Sequence, residues 1–113
     1  MLLVIVESPY AGDTLYTIEN NKNYARECIR DCLMRGESPF ASHLLYTQDN
    51  VLDDDLPEER FLGMEAGWAW MEKADLVAVY GDKGISSGMK YGIRRAIQLN
   101  KPLEFRMLYS TEA

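Results

Sequence analysis

Asp75-Leu76-Val77-Ala78-Val79-Tyr80, followed at once by Gly81-Asp82-Lys83-Gly84-Ile85-Ser86-Ser87-Gly88, is the stretch that decides the fold. The first part is a short apolar run rich in branched residues, the pattern of a central strand. The second is a glycine- and serine-rich turn. Met89, Ile93, Ala96 and Ile97 then recur at helical spacing, and Asn100-Lys101-Pro102 stops that helix. Strand, turn and helix in this order form the repeating unit of a parallel α/β sheet.

Working outward, Leu2-Leu3-Val4-Ile5-Val6 reads as another strand buried on both faces. Ala25, Cys28, Ile29, Cys32 and Leu33 predict an amphipathic helix over Lys22–Gly36. Pro39–Ser42 reads as a weak second strand and Leu103–Leu108 as a last one. Pro57 suits a first helical turn, so Glu58–Lys73 is a further helix. Residues 7–21 and 43–55 read as loops. The order β-α-β-α-β-α-β predicts one domain over residues 1–113. Its expected class is α/β, a three-layer doubly wound (Rossmann-like or flavodoxin-like) fold with a mostly parallel sheet of four to five strands.

Composition narrows the function classes. The 113 residues are 47% hydrophobic and 27% charged, ordinary globular values that fit neither a disordered tail nor a membrane protein. The longest apolar run is closed by Glu7, far short of the roughly 20 residues that span a bilayer, so a cytoplasmic protein without membrane contact is expected. A net charge of −6 argues against nonspecific nucleic-acid binding. Cys28 and Cys32, four apart on one helix, read as buried reduced thiols, and with His43 the lone histidine neither a metal set nor a cofactor is expected.

The helix around Phe61–Met71 carries apolar residues on more than one stripe, among them Leu62, Met64, Trp68 and Trp70. One sheet contact does not bury them all. Gly63 and Gly67 allow another element to approach closely, which predicts a homo-oligomer through this helix; tight packing within the chain is the alternative.

In an open parallel sheet, ligands bind at the carboxyl ends of the strands. Those loops are Glu7–Asp13, Ser42–Asp55 and Gly81–Gly88. In the third, Ser86, Ser87 and Gly88 open a helix, and they either hold a phosphate on free N–H groups or simply cap it. Neither G-x-G-x-x-G after the first strand nor a P-loop signature is present. Glu7 places a carboxylate in the crevice or is merely the first solvated residue after the strand. It is followed by Ser8, Tyr10, Gly12 and Asp13, and Tyr10 is suited to stacking on a base. His43 would bond a sugar or phosphate or serve the structure. Asp54 is the candidate sugar ligand in an acidic run that otherwise starts a helix. Arg26 faces either the crevice or solvent.

Together these residues resemble the nucleoside 2-deoxyribosyltransferase-like superfamily, which includes deoxynucleoside 5'-monophosphate N-glycosidases and a small, often phage-encoded branch that is the nearest in pattern. The resemblance rests on the Ser8-Pro9-Tyr10-Ala11-Gly12 loop and on Ala41-Ser42-His43-Leu44-Leu45-Tyr46-Thr47-Gln48. It also rests on Leu52-Asp53-Asp54-Asp55-Leu56-Pro57-Glu58-Glu59-Arg60 and on Ser86-Ser87-Gly88-Met89-Lys90-Tyr91-Gly92-Ile93. It implies a doubly wound fold, assembly into oligomers, and cleavage of the bond between base and deoxyribose. A glutamate near the start of the last long helix attacks the anomeric carbon, and phosphate rests on the serine-glycine turn.

The sequence departs from that pattern at one position: Gly92 stands where the nucleophilic glutamate is expected. Glu7, Glu65 or a neighbouring subunit would then supply the carboxylate. The resulting expectation is a nucleoside- or nucleotide-binding protein acting at the N-glycosidic bond, with Glu7 as nucleophile or general base and Tyr10 and Met89 against the base. Ser8, Gly12, Asp13, His43, Asp54, Ser86, Ser87, Gly88 and Gly92 complete the candidate site. The alternatives are a noncatalytic nucleotide-binding module and an interaction protein working through the Phe61–Met71 helix.

Overall fold

The chain is described by a computed structural model over residues 1–13 and 15–109. Four strands, β1 (Leu3–Glu7), β2 (Ser38–Phe40), β3 (Leu76–Tyr80) and β4 (Leu103–Arg106), form one parallel sheet in the order β2-β1-β3-β4. The helices are α1 (Ile18–Met34), α2 (Ser42–Leu45), α3 (Pro57–Met71) and α4 (Ser87–Gln98). The doubly wound α/β expectation therefore holds, with four parallel strands.

Alternation along the central strands sorts the core into two halves. Val4 and Val6 of β1 pack with Tyr24, Cys28 and Cys32 of α1 on one face. Ile5 packs on the other face with Met71 of α3 and with Met89 and Ala96 of α4. Glu7, two residues beyond Ile5, leaves the sheet on the α4 side. The chain runs from β1 outward to β2, then returns across β1 to β3, so the strand order reverses between β1 and β3 and opens a crevice at their carboxyl ends.

Local chemistry sets the element ends. The first helix begins at Ile18, four residues before the predicted start, because Thr17 caps it: its hydroxyl accepts from Asn20 N–H at 3.0 Å, and the Asn20 side chain accepts from Thr17 N–H at 3.1 Å. Asn21, which also reads as loop in the sequence, is buried and donates to the Tyr10 and Ala11 carbonyls, fastening the Ser8–Asp13 loop to the helix. The second strand stops at Phe40, and the single helical turn of α2 follows where a loop is expected. Gly67 explains its position, since a Cβ there would lie 2.6 Å from Ser42 Oγ. The small-residue step on α3 thus receives α2 of the same chain. Phe61, Leu62 and Trp70 remain exposed. On α4, Gly92 rather than Ile97 faces the core, and Ile97 points outward. The last strand ends at Arg106 because Asp82 takes the N–H groups of Leu108 and Tyr109.

Both cysteines are free and buried, and burial pushes their thiols up, out of the reactive range. Beside Cys32 lies a closed ionic network: Arg106 donates two bonds to Glu37, at 2.8 and 2.7 Å, and a third to Tyr80 Oη at 3.0 Å. The guanidinium holds the Glu37 carboxyl below its ordinary range. Removing one partner of such a buried pair strands the other, at a cost of about 3–5 kcal/mol. Arg106→Ala is expected to lower the urea-unfolding free energy by about that amount, and a loss below about 1 kcal/mol would show that water reaches the network.

Candidate functional site

The crevice between β1 and β3 holds a cavity of about 480 Å³, within the range of small-molecule sites. Glu7, Ser8, Tyr10, Gly12 and Asp13 come from the β1 loop, His43 from α2 and Asp54 from the segment before α3. Ser86, Ser87, Gly88, Met89 and Gly92 come from the start of α4. All of them line this one space. Glu65 is exposed outside it, and Arg26 is exposed on α1 beside Asn23 and Glu19, on the solvated side.

Glu7 lies at the floor. An ideal Cβ built on Gly92 would fall 2.5 Å from the Glu7 carboxyl carbon and 2.5 Å from each of its oxygens, so the carboxyl fills the volume that any side chain at position 92 would enter. Burial disfavours its charged form and raises its pKa from 4.5 to about 8. No hydrogen bond or ion pair reaches it among the described residues.

Above it, Ser8 Oγ and His43 Nε2 are hydrogen-bonded at 2.8 Å, and Ser8 is buried. Burial lowers the His43 pKa from 6.5 to about 4, so the pair is neutral at physiological pH and presents hydroxyl and imidazole to a polar, uncharged group. The Tyr10 ring stands edge-on to His43 at 6.4 Å. Asp13 is already engaged: the backbone N–H groups of Tyr16 and Leu15 bond its carboxylate and hold its pKa low. Asp54 is half-buried, and burial raises its pKa.

Ser86 caps α4, its hydroxyl accepting from Met89 N–H at 3.2 Å, so the capping role is real. Ser87 and Gly88 follow in the first turn, exposed to the cavity, and nothing lies within 4 Å of a Cβ built on Gly88. The turn therefore both caps the helix and leaves open space at its positive end.

Sequence reasoning passed over Trp68, Met64 and Met71 as site residues, although the apolar excess of α3 was the signal: one of its stripes is the cavity wall. Arg60 and Lys90 also line the cavity as its basic side chains, and their distance along the chain gave no sign that they would meet there. Among the described residues no three His, Cys, Asp or Glu side chains are grouped as metal ligands, and no described helix is long and apolar enough to cross a membrane.

The family described as "Domain of unknown function (DUF7768)" matches residues 2–106. The chain belongs to the DUF7768 family. A search of curated proteins returns no match. Among solved structures, a 2-deoxyribosyltransferase from the psychrotolerant bacterium Bacillus psychrosaccharolyticus is similar, with a TM-score of 0.64 and 16% identity. The alignment covers 98% of this chain and 76% of that one. At that identity the likeness is one of fold, and it agrees with the doubly wound sheet and its crevice.

The two perturbed groups oppose each other in their effect on stability. Glu7 binds its proton more tightly when folded, so its contribution falls as pH rises from about 4.5 to about 8. His43 binds its proton more weakly when folded, so its contribution rises with pH from about 4 to about 6.5. The slopes nearly cancel up to pH 6.5, and a net loss on the order of 2 kcal/mol is expected between pH 6.5 and 8. Urea unfolding across this range should show that loss in the native chain and not in Glu7→Gln.

Proposed function

We propose that this chain binds a nucleoside or nucleotide in the β1–β3 cavity and cleaves or transfers at its N-glycosidic bond, with Glu7 as the reactive carboxyl. One observation carries the reading: the Glu7 carboxyl fills the space beside α4 that Gly92 leaves open, the position from which the resembled enzymes project their nucleophile. The fold likeness to a 2-deoxyribosyltransferase supports the same class of chemistry.

The steps follow from the residues. Tyr10 and Trp68 offer aromatic surface to a base, while Met89, expected there from the sequence, is buried in the core beneath them; the neutral Ser8–His43 pair bonds a sugar hydroxyl. The open first turn of α4, with Lys90 beside it, receives an anionic substituent such as a phosphate. An ionised Glu7 oxygen attacks the anomeric carbon. The carbon–nitrogen bond breaks, its electron pair leaves with the base, and the base takes a proton from solvent. Water or a second base then attacks the same carbon, giving up its proton to solvent, displacing the carboxylate and restoring Glu7 as the anion. Since the free carboxyl holds its proton up to about pH 8, the site must expose it as the anion to act.

Two measurements test this. Chromatography of deoxynucleosides, ribonucleosides and their monophosphates after incubation should show free base from at least one of them, and Glu7→Gln should reduce its release by roughly a thousandfold or more. The rate should climb about tenfold per pH unit between pH 6 and 8 and level off above, following ionisation of Glu7. A falling profile would make Glu7 a proton donor to the base instead. Saturable binding with the ligand recovered unaltered would favour the noncatalytic module, which the glycine at position 92 itself recommends.

We also propose that a second copy packs on the exposed α3 residues Phe61 and Leu62. Sedimentation should report an oligomer that Phe61→Ser with Leu62→Ser reduces to monomer; a native monomer would remove the proposal.

A further inference from the structure

Glu7 is a long side chain in a cavity, and nothing polar holds it. The other titratable groups on the cavity wall are Tyr10, Asp13, His43, Tyr46, Asp54, Glu59, Arg60 and Lys90, and none bonds to it among the described residues. Asp13 is engaged by backbone N–H groups, and His43 by Ser8. A glutamate with three free torsions and no polar partner would otherwise turn toward water, where its charge is solvated.

What the Glu7 carboxyl occupies is the space that a side chain on Gly92 would take. A methyl group at that position would lie 2.5 Å from three carboxyl atoms, far inside van der Waals contact. Gly92 sits within a regular α-helix at an ordinary negative φ, so no backbone conformation requires glycine there. A glycine inside a helix is unfavourable against alanine, and here the compensation is the space it gives to Glu7.

We infer that Gly92 is a positioning residue: its missing side chain is the seat that fixes the Glu7 carboxyl at the cavity floor. This rests on the reading of Glu7 as the reactive group, but the seat itself has a readout independent of turnover. The clash in Gly92→Ala falls on the far end of a flexible side chain and not on backbone, so the variant should fold and Glu7 alone should yield, swinging toward solvent.

The test is Gly92→Ala, read first by carbon NMR of selectively labelled glutamate across pH 4–10. With the seat filled, the Glu7 pKa should drop by at least one pH unit toward the ordinary carboxyl range. On the deoxynucleoside monophosphate that gives the most base release, kcat should fall at least tenfold while KM stays within about twofold. Glu7→Asp, added to Gly92→Ala, shortens the side chain and should recover at least threefold over Gly92→Ala alone. An unchanged Glu7 pKa overturns the inference, and so does a variant that fails to fold, because the proposal requires that only the Glu7 side chain moves. If the native chain releases no base at all, the functional reading fails while the NMR shift still decides whether Gly92 seats the carboxyl.

Discussion

The pleat of β1 is the constraint on which the rest depends. This strand lies inside the sheet, paired to β2 and β3 and covered on both faces, so each of its side chains has a fixed destination. Val4 and Val6 are committed to α1, and Ile5 to α3 and α4. Glu7 then has no freedom of face: it must emerge on the α4 side, at the carboxyl end, beside the crevice. A slip of one residue would turn it to the opposite face, toward the cluster of Tyr24 and Cys28 and away from the crevice. The same alternation that builds the core therefore aims the cavity's carboxyl.

Two groups of ionisable residues show how differently one small fold treats buried charge. At the end of β4, Arg106 is bonded to Glu37, Glu104 and Tyr80, and Tyr80 in turn donates to Asp31 at 2.7 Å. That network is closed, and its groups sit in the protonation states that pairing favours. Across the sheet, Glu7 is left without compensation, and burial shifts its pKa to about 8. Carboxyls perturbed in this way within a cavity cluster at functional sites, which is what makes Glu7 the candidate.

The function proposed for Glu7 requires a carboxyl that comes from a strand end and not from α4, and the fold permits it. A site at the carboxyl edge of parallel strands draws side chains from several loops, and the carboxyl can arrive from a neighbouring strand as readily as from the helix. What the helix must then supply is room. Gly92 supplies it, as Gly67 does for Ser42 on α3.

Much of this was readable in the sequence, because the signals were local. The apolar runs Leu2–Val6 and Leu76–Tyr80, Pro57 at the head of α3 and the glycine-serine turn before α4 each carry their own physical meaning, and together they determine a parallel α/β sheet with its loops gathered at one edge. The candidate residues on those loops, from Glu7 to Gly92, were nameable because strand ends are where such folds bind. The start of α1 was harder: two adjacent asparagines look like a loop until Asn20 is seen in a reciprocal cap and Asn21 as a buried clamp. The single turn of α2 left no periodic signal, being shorter than the period that would reveal it. Only the tertiary structure decided that the second apolar stripe of α3 lines the cavity, that Arg60 and Lys90 reach it, and that the Glu7 carboxyl lies on Gly92. Each of those facts depends on the distance between residues far apart in the chain, and packing fixes that distance where spacing along the sequence does not.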